Sequence, residues 1–127
     1  MNKEDKELLL KDLCARLPYE TWVQYEGKEW LVTGYGHGRV SLLPSVFSSV
    51  SACPLVEEIR PYLRPMSSMT EEEKRYLISL KYQPSALKWK NLIISSQEVI
   101  DWLNAHHFDY RGLIEKGLAL EAPKDMY

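Results

Sequence analysis

The separation of strand-forming from helix-forming stretches is the feature that most limits what this chain can fold into. Short runs rich in Val, Leu, Trp and Tyr lie at residues 22–25, 30–32 and 40–43, close enough in sequence to pair as an antiparallel meander with tight turns. Helix-start patterns lie mainly in the second half of the chain. Strands followed by helices, rather than alternating with them, predict an α+β fold, and at its simplest the sheet would be SH3-like.

An amphipathic helix is predicted to precede the meander. Leucines recur at three- and four-residue spacing between residues 3 and 17, most charged residues fall on the other face, and Pro18 ends the pattern. Turns are predicted at residues 26–28 and 34–38, where glycine can adopt positive φ without steric cost. A further strand is expected over residues 55–59.

Two prolines four residues apart, Pro61 and Pro65, exclude a regular helix at the centre of the chain. They leave either a tight turn or an extended crossing segment. After them, Thr70 and Glu73 form a capping box, which predicts a helix that begins there and runs to about residue 82. Pro84 is expected to end that helix.

Further helices are predicted near the end of the chain. The sequence Ser-Ser-Gln-Glu at residues 95–98 is a second capping box, and it follows an apolar run at 92–94 that suits a strand or a buried linker. Asp109 can cap a last short helix over residues 110–116, with Gly117 placed to end it. The second half therefore contributes two to three helices.

The length of 127 residues fits one domain. Within a single domain spanning residues 1–127, residues 1–65 supply the first helix and the meander, and residues 66–127 supply the later helices. Residues 122–127 are expected to be frayed. Hydrophobic residues make up 45% of the chain, which is enough to bury a core.

Charge and cysteine content limit the partners and the compartment. The 16 Lys and Arg against 18 Asp and Glu give a formal net charge of −2, which provides no global attraction for nucleic acid. The sequence shows neither a signal-peptide pattern nor about 20 consecutive apolar residues, so we expect a cytoplasmic protein. Cys14 and Cys53 lack the paired spacing of a zinc or redox site, and no metal or cofactor is predicted.

Three stretches of the sequence resemble a known group of proteins. They are LLLKDLCARLPY at residues 8–19, VEEIRPYLRPMSSMTEEE at 56–73 and DWLNAHHFDYRGLIEKGLALEAP at 101–123. They are similar to stretches of short uncharacterised proteins encoded by bacteriophages and by integrated elements of gut bacteria. The resemblance implies a genetic setting, with the cytoplasm of a bacterial host as the compartment, and it carries over no activity, cofactor or functional residue.

Two motifs that could suggest a metal site or a phosphate loop have local structural explanations. His106 and His107 are adjacent, so on a helix their imidazoles diverge by about 100°, whereas metal-binding pairs usually stand four residues apart. The glycine-rich segment 34–38 is followed by a strand, whereas phosphate loops lead into a helix. We therefore favour one packed and one solvated histidine, and a hairpin turn. The functional alternative for the turn is a rim where Tyr35 and His37 touch a ligand.

The remaining candidates are aromatic and basic residues beyond the needs of a core and a plain surface. Aromatic side chains on the meander suit a contact surface. Cations beside aromatics, around Tyr62 and Trp89, suit an anion-binding groove if the two segments meet in space. The predicted ligand or partner contacts are Trp22, Tyr25, Trp30, Tyr35, His37, Arg60, Tyr62, Arg64, Lys88, Trp89 and Lys90.

A non-catalytic binding protein is the leading functional hypothesis. It would act in counter-defence, either by blocking a host protein or by sequestering an anionic small molecule such as a nucleotide signal. A homodimer is also expected, because both faces of the meander are partly apolar and one needs a loop or a partner chain to cover it. The alternatives are a nucleic-acid-binding accessory protein and, third, an enzyme that gathers distant residues such as His37 with Glu57 or His106.

Overall fold

Residues 2–44, 50–81 and 88–127 are described by the computed structural model, except for the side chains of residues 80, 81 and 88–96. An N-terminal helix, a mixed sheet of six strands and two later helices confirm the predicted α+β class. No helix within these described ranges is long and apolar enough to cross a membrane. The SH3-like form of the sheet stays a prediction.

Three helices and six strands make up the regular structure of the described residues. The helices are α1 (Lys3–Arg16), α2 (Glu71–Lys81) and α3 (Lys88–Ala105), and short 3-10 turns lie at Leu17–Tyr19, Val56–Glu58 and Met66–Ser68. The strands are β1 (Trp22–Tyr25), β2 (Lys28–Gly36), β3 (Arg39–Leu43), β4 (Arg60–Pro65), β5 (Phe108–Asp109) and β6 (Leu120–Glu121).

The first helix, α1, matches its predicted bounds closely, although Asp12 and Arg16 are buried. Its cap, Asn2, accepts a hydrogen bond from the Asp5 amide at 2.7 Å, and acids in the first turn with Arg16 in the last suit the helix dipole. Leu9 and Leu13, four residues apart, are both buried against the sheet. Burying each leucine contributes roughly 1.5–3 kcal/mol, so this face holds the helix in place.

The sheet has the strand order β3-β2-β1-β4-β5, and β6 also pairs with β4. Strands β1, β2 and β3 form the predicted antiparallel meander, and β4 extends it antiparallel to β1. Strands β5 and β6 pair with β4 in parallel, so the sheet is larger than predicted and mixed. The segment that contains Pro61 and Pro65 is extended, as one of its two predicted alternatives has it.

The turn between β2 and β3 is shorter than predicted for residues 34–38. Strand β2 continues to Gly36, so His37 and Gly38 form the turn, at φ of 53° and 75°. Positive φ at both central positions is what a two-residue hairpin of this hand requires, and histidine and glycine can adopt it. Tyr35 therefore lies in a strand and not in a loop.

The prediction of a strand over residues 55–59 is wrong. Val56–Glu58 forms a 3-10 turn instead, because the Glu58 carboxylate accepts a hydrogen bond from the Leu55 amide at 2.8 Å and folds the chain back on itself. The amide of residue 56 also donates to the carbonyl of Gly38. This turn therefore lies against the β2-β3 hairpin rather than adding a strand.

One of the two capping boxes begins a helix and the other does not. At the first, the Glu73 amide donates to the Thr70 hydroxyl at 3.1 Å, and the Thr70 amide donates to the Glu73 carboxylate at 3.0 Å. The prediction of a helix start at residues 95–98 is wrong, because α3 begins at Lys88 and includes residues 92–94. Serine and glutamine are tolerated inside helices, so the pattern alone does not fix a start. The helix end predicted at Pro84 lies outside the described residues.

The helix predicted over residues 110–116 is replaced by turns. The Asp109 carboxylate caps them, as predicted, by accepting from the Leu113 and Ile114 amides at 2.9 Å. Gly112 stands at φ of 74°, far from helical values, and this conformation prevents a continuous helix.

Two hydrophobic clusters lie on opposite faces of the sheet. The larger packs α1 against the face that carries Val23 and Leu63, which we call the α1 face. Phe108 pairs with Arg64, the neighbour of Leu63, so its ring points the other way. There it packs with α2 and α3 in the smaller cluster, on what we call the opposite face.

Candidate functional site

Four of the predicted contacts share the opposite face of the sheet. Residues two apart on a strand point the same way, so Arg60, Tyr62 and Arg64 of β4 lie on one side. Gln24 is the cross-strand partner of Arg60, and Trp22, two residues before it, lies on the same side. The structure therefore brings Trp22 together with the three residues of β4.

Tyr25 and Trp30 lie on the α1 face instead. Trp30 is the cross-strand partner of the buried Val23. The rings of Tyr25 and Trp30 meet edge to face, with centroids 6.0 Å apart, at the margin of the larger cluster. The Trp30 Nε1 atom is buried and has no hydrogen-bond partner among the described residues. These two aromatics thus pack with the core.

Tyr35 and His37 lie apart from both groups, at the β2-β3 hairpin. Tyr35 is the cross-strand partner of Val40 and is 48% exposed. A hydrogen bond with the Cys14 thiol raises the pKa of the Tyr35 phenol. His37 is exposed in the turn itself. The hairpin therefore offers an exposed rim, separate from the opposite face.

Arg64 is already engaged by an acidic neighbour. Its guanidinium donates to both carboxylate oxygens of Glu73, at 2.8 and 3.0 Å, and it lies 4.1 Å from the centre of the Phe108 ring. The hydrogen bonds from Arg64 hold the pKa of Glu73 down at about 2. An anion that approaches Arg64 must compete with Glu73, whereas Arg60 is exposed on the same face.

The last group of predicted contacts, Lys88, Trp89 and Lys90, lies in the first turn of α3. The side chains of these three residues lie outside the described part of the chain. Their convergence with Arg60 therefore stays a prediction.

Residues 122–127 are held to the sheet, which corrects the expectation of a frayed segment. The Ala122 amide donates to β4 at 2.8 Å. At the far end, the Tyr127 hydroxyl accepts from the Trp22 amide at 2.9 Å and donates to the Tyr62 carbonyl at 2.8 Å. Those partners are 105 and 65 positions away in sequence, so no local pattern could reveal the contact.

His107 covers one side of the Tyr127 ring. The two rings stack with centroids 3.6 Å apart and planes at 12°. His107 is 7% exposed at φ of 63°, and burial together with the positive charge of Arg16 lowers its pKa to about 4. The imidazole is therefore neutral at pH 7. His106 is 44% exposed, so the histidine pair divides into a packed and a solvated member, as predicted.

Two grooves on the opposite face meet at residues 123–125. One has a volume of about 330 Å³ and is lined on its sheet side by Trp22 and Glu29. The other has a volume of about 750 Å³ and is lined by Arg64 and Tyr127 among others. Both volumes lie within the roughly 300–1,000 Å³ of ligand pockets. Because residues 123–125 form a wall of each groove, they stand between the two.

A buried ion network at the end of α1 was missed by the sequence predictions. The Asp12 carboxylate accepts from Arg16 at 2.8 Å and from Arg111 at 3.1 Å, and Arg16 also donates to the Phe108 carbonyl at 2.6 Å. Asp12 and Arg16 are fully buried. An Asp–Arg pair four residues apart is typical of an exposed helix face, so this pattern did not indicate a buried network. The available sign was the position of Arg16 three residues after Leu13, on the apolar stripe.

Metal chemistry finds no support in the described ranges, because no three His, Cys, Asp or Glu side chains come together there as a metal site requires. No protein-family model, curated protein or solved structure matches the chain. The functional interpretation therefore depends on the geometry of the opposite face.

Proposed function

We propose that this chain is a non-catalytic binding protein that contacts a partner protein through the opposite face of the sheet. The observation that supports this most is the meeting of two grooves at residues 123–125, with Trp22 lining one and Arg64 the other. Tryptophan and arginine are the residues that most often dominate the energy of protein contacts. Trp22 is half-buried and Arg60, on the same face, is exposed, so a partner can reach both.

The charges around the larger groove favour a protein over a small anion. Its lining mixes basic and acidic side chains, namely Arg64, Lys124, Glu72, Glu73, Glu121 and Asp125. Acids in this number repel a phosphate, and the one guanidinium among them is bound to a carboxylate. A mixed rim instead suits the alternating charges of a protein surface.

The biological setting is proposed from the resemblance to bacteriophage proteins. In that setting the partner would be a protein of the bacterial host, and binding would block it in counter-defence. A catalytic role is not part of the proposal, because the opposite face offers aromatic, basic and acid-rich surfaces without a nucleophile paired to a base in its described residues.

Capture from a bacterial lysate tests this proposal. The baits are the wild type, the opposite-face variant Trp22→Ala/Arg60→Glu, and the control Tyr35→Ala, which removes an exposed aromatic at the hairpin. We expect one host protein to be retained by the wild type and the control and lost by the opposite-face variant, with all three folded by circular dichroism. Equal retention by all three would refute the proposed surface. A nucleotide-dependent rise in Tm that the opposite-face variant loses would favour the small-anion version instead.

A further inference from the structure

The antiparallel pairing of β1 with β4 ends one residue pair earlier than the register of the two strands allows. The last pair of that ladder is Val23 with Pro61, so the next would join the Trp22 amide directly to the Tyr62 carbonyl. The Tyr127 hydroxyl stands between these two groups, 2.9 Å from the nitrogen and 2.8 Å from the oxygen. A side chain from far along the sequence thus replaces a bond of the sheet.

The groups around Tyr127 form a slot with definite chemical demands. The slot consists of the Trp22 amide, the Tyr62 carbonyl and the ring of His107, which stacks at 3.6 Å. Its occupant needs a flat ring, and at the tip of that ring one group that both accepts and donates a hydrogen bond. A neutral phenol meets both demands.

Other groups fit this slot less well. A phenolate or carboxylate cannot donate to the Tyr62 carbonyl, and a phenyl ring leaves that carbonyl and the Trp22 amide unpaired, which is costly. Burial raises the pKa of Tyr127 well above its ordinary value, so the hydroxyl keeps its proton. Sites built around a hydroxyl discriminate strongly against analogues that lack it.

The occupant of the slot is reachable from outside, although His107 and Tyr62 are buried. Tyr127 is 40% exposed, and residues 123–125, which lead to it, are exposed as well. The groove of about 750 Å³ includes Tyr127 in its lining, and the groove of about 330 Å³ includes Trp22. A protein seated in both grooves therefore adjoins the slot from two sides.

We propose that this slot is a binding site for a tyrosyl side chain, and that Tyr127 is its internal occupant, which a tyrosine of a partner protein displaces. The incoming phenol makes the same two hydrogen bonds and the same stack, so these contacts are exchanged one for one, and contacts in the grooves must offset the entropy lost when the partner binds. Release of Tyr127 frees the wall at residues 123–125 and joins the two grooves into one cleft. The inference rests on the proposed function for the identity of the partner alone.

Small phenols test the slot without a partner. In Tyr127→Ala the slot is vacated, and we expect p-cresol at about ten times its Kd to raise the Tm by roughly 3–6 °C. Toluene, which has the ring without the hydroxyl, should give less than about a third of that shift. Tyr76→Ala is the matched control, because it removes a tyrosine that packs on Trp102 at 5.8 Å, and p-cresol should not stabilise it beyond the wild type. Equal shifts from the two ligands, or no shift in Tyr127→Ala, would overturn the proposal.

A second variant keeps the test decisive if Tyr127→Ala does not fold. Tyr127→Phe keeps the ring and removes the hydroxyl, so p-cresol should displace its side chain at a lower concentration than in the wild type. The Trp22 amide resonance reports this, and an equal response in the two proteins would overturn the slot. Failure of lysate capture with intact p-cresol selectivity would sink the proposed function and leave the slot. The reverse result would sink the slot alone.

Discussion

The two faces of the sheet are built from different materials. The α1 face is closed mainly by aliphatic side chains, with Tyr25 and Trp30 at its margin, and Leu9, Leu42 and Leu63 are fully buried. The opposite face combines aliphatic residues such as Leu77 and Leu103 with rings and ion pairs, and it leaves Arg60 exposed and Tyr127 40% exposed. Aliphatic packing is non-directional, so it stabilises the fold without selecting a partner. Rings with polar tips and bidentate ion pairs are directional, so they suit recognition.

A buried ion network marks the margin where the two faces are joined, and breaking it should have the largest effect. In Asp12→Asn, Arg16 and Arg111 lose their shared carboxylate, and we expect a loss of about 3–5 kcal/mol in the free energy of unfolding because a buried charge is left unpaired. Urea unfolding followed by circular dichroism measures it. Glu57→Gln, which breaks the exposed pair with Lys6, is the control and should cost under about 1 kcal/mol. Similar losses in the two variants would show that the network is not critical.

The comparison of the faces is sharpened by one substitution on each side of β4. Leu63→Ala empties a fully buried site on the α1 face and should cost about 3 kcal/mol. Arg60→Ala, three positions earlier on the opposite face, should change stability by less than about 0.5 kcal/mol. Equal losses in the free energy of unfolding for the two variants would contradict the proposed difference between the faces.

Acid should weaken the opposite face through His107. Its pKa is lowered from 6.5 to about 4. Between these pH values, His107 therefore binds a proton in the unfolded chain but not in the folded chain. The free energy of unfolding therefore has its full value above about pH 6.5, and it decreases by on the order of 2–3 kcal/mol as the pH falls towards 4. Urea unfolding at pH 7, 5.5 and 4 measures the loss.

Two variants decide whether His107 is the group responsible. In His107→Asn, which tolerates positive φ, the acid loss should shrink by that amount. In His37→Asn, an exposed control, it should persist. An unchanged acid loss in His107→Asn would assign the effect to other groups.

The α1 face is the part that local patterns predicted well. Spacing of three and four residues predicted the buried leucine face of α1, which includes Leu9 and Leu13, and alternation within β1 accounts for the separation of Val23 from Trp22. On the opposite face, local capping chemistry likewise located the start of α2 through Thr70 and Glu73. These predictions succeeded because each depends on residues within one helical turn or one strand.

The opposite face depends on partners that local patterns cannot supply. Tyr127 meets Trp22 and Tyr62 across 105 and 65 positions, and Arg16 meets Phe108 across 92. Trp22, Arg60, Tyr62 and Arg64 share one face because two neighbouring strands carry them, whereas the predicted convergence of β4 with residues 88–90 stays a prediction. The engagement of Arg64 by Glu73 could not be foreseen, since it requires α2 to pack beside β4.

The protection of the Trp22 amide against hydrogen exchange tests most directly whether the Tyr127 hydroxyl bridges β1 and β4. In Tyr127→Phe the amide loses its acceptor, and we expect its exchange to be about tenfold faster, which corresponds to about 1.4 kcal/mol. Tyr76→Phe, which removes a hydroxyl from α2, should leave the rate unchanged. Equal protection of Trp22 in the wild type and both variants would show that the two strands are not bridged in this way.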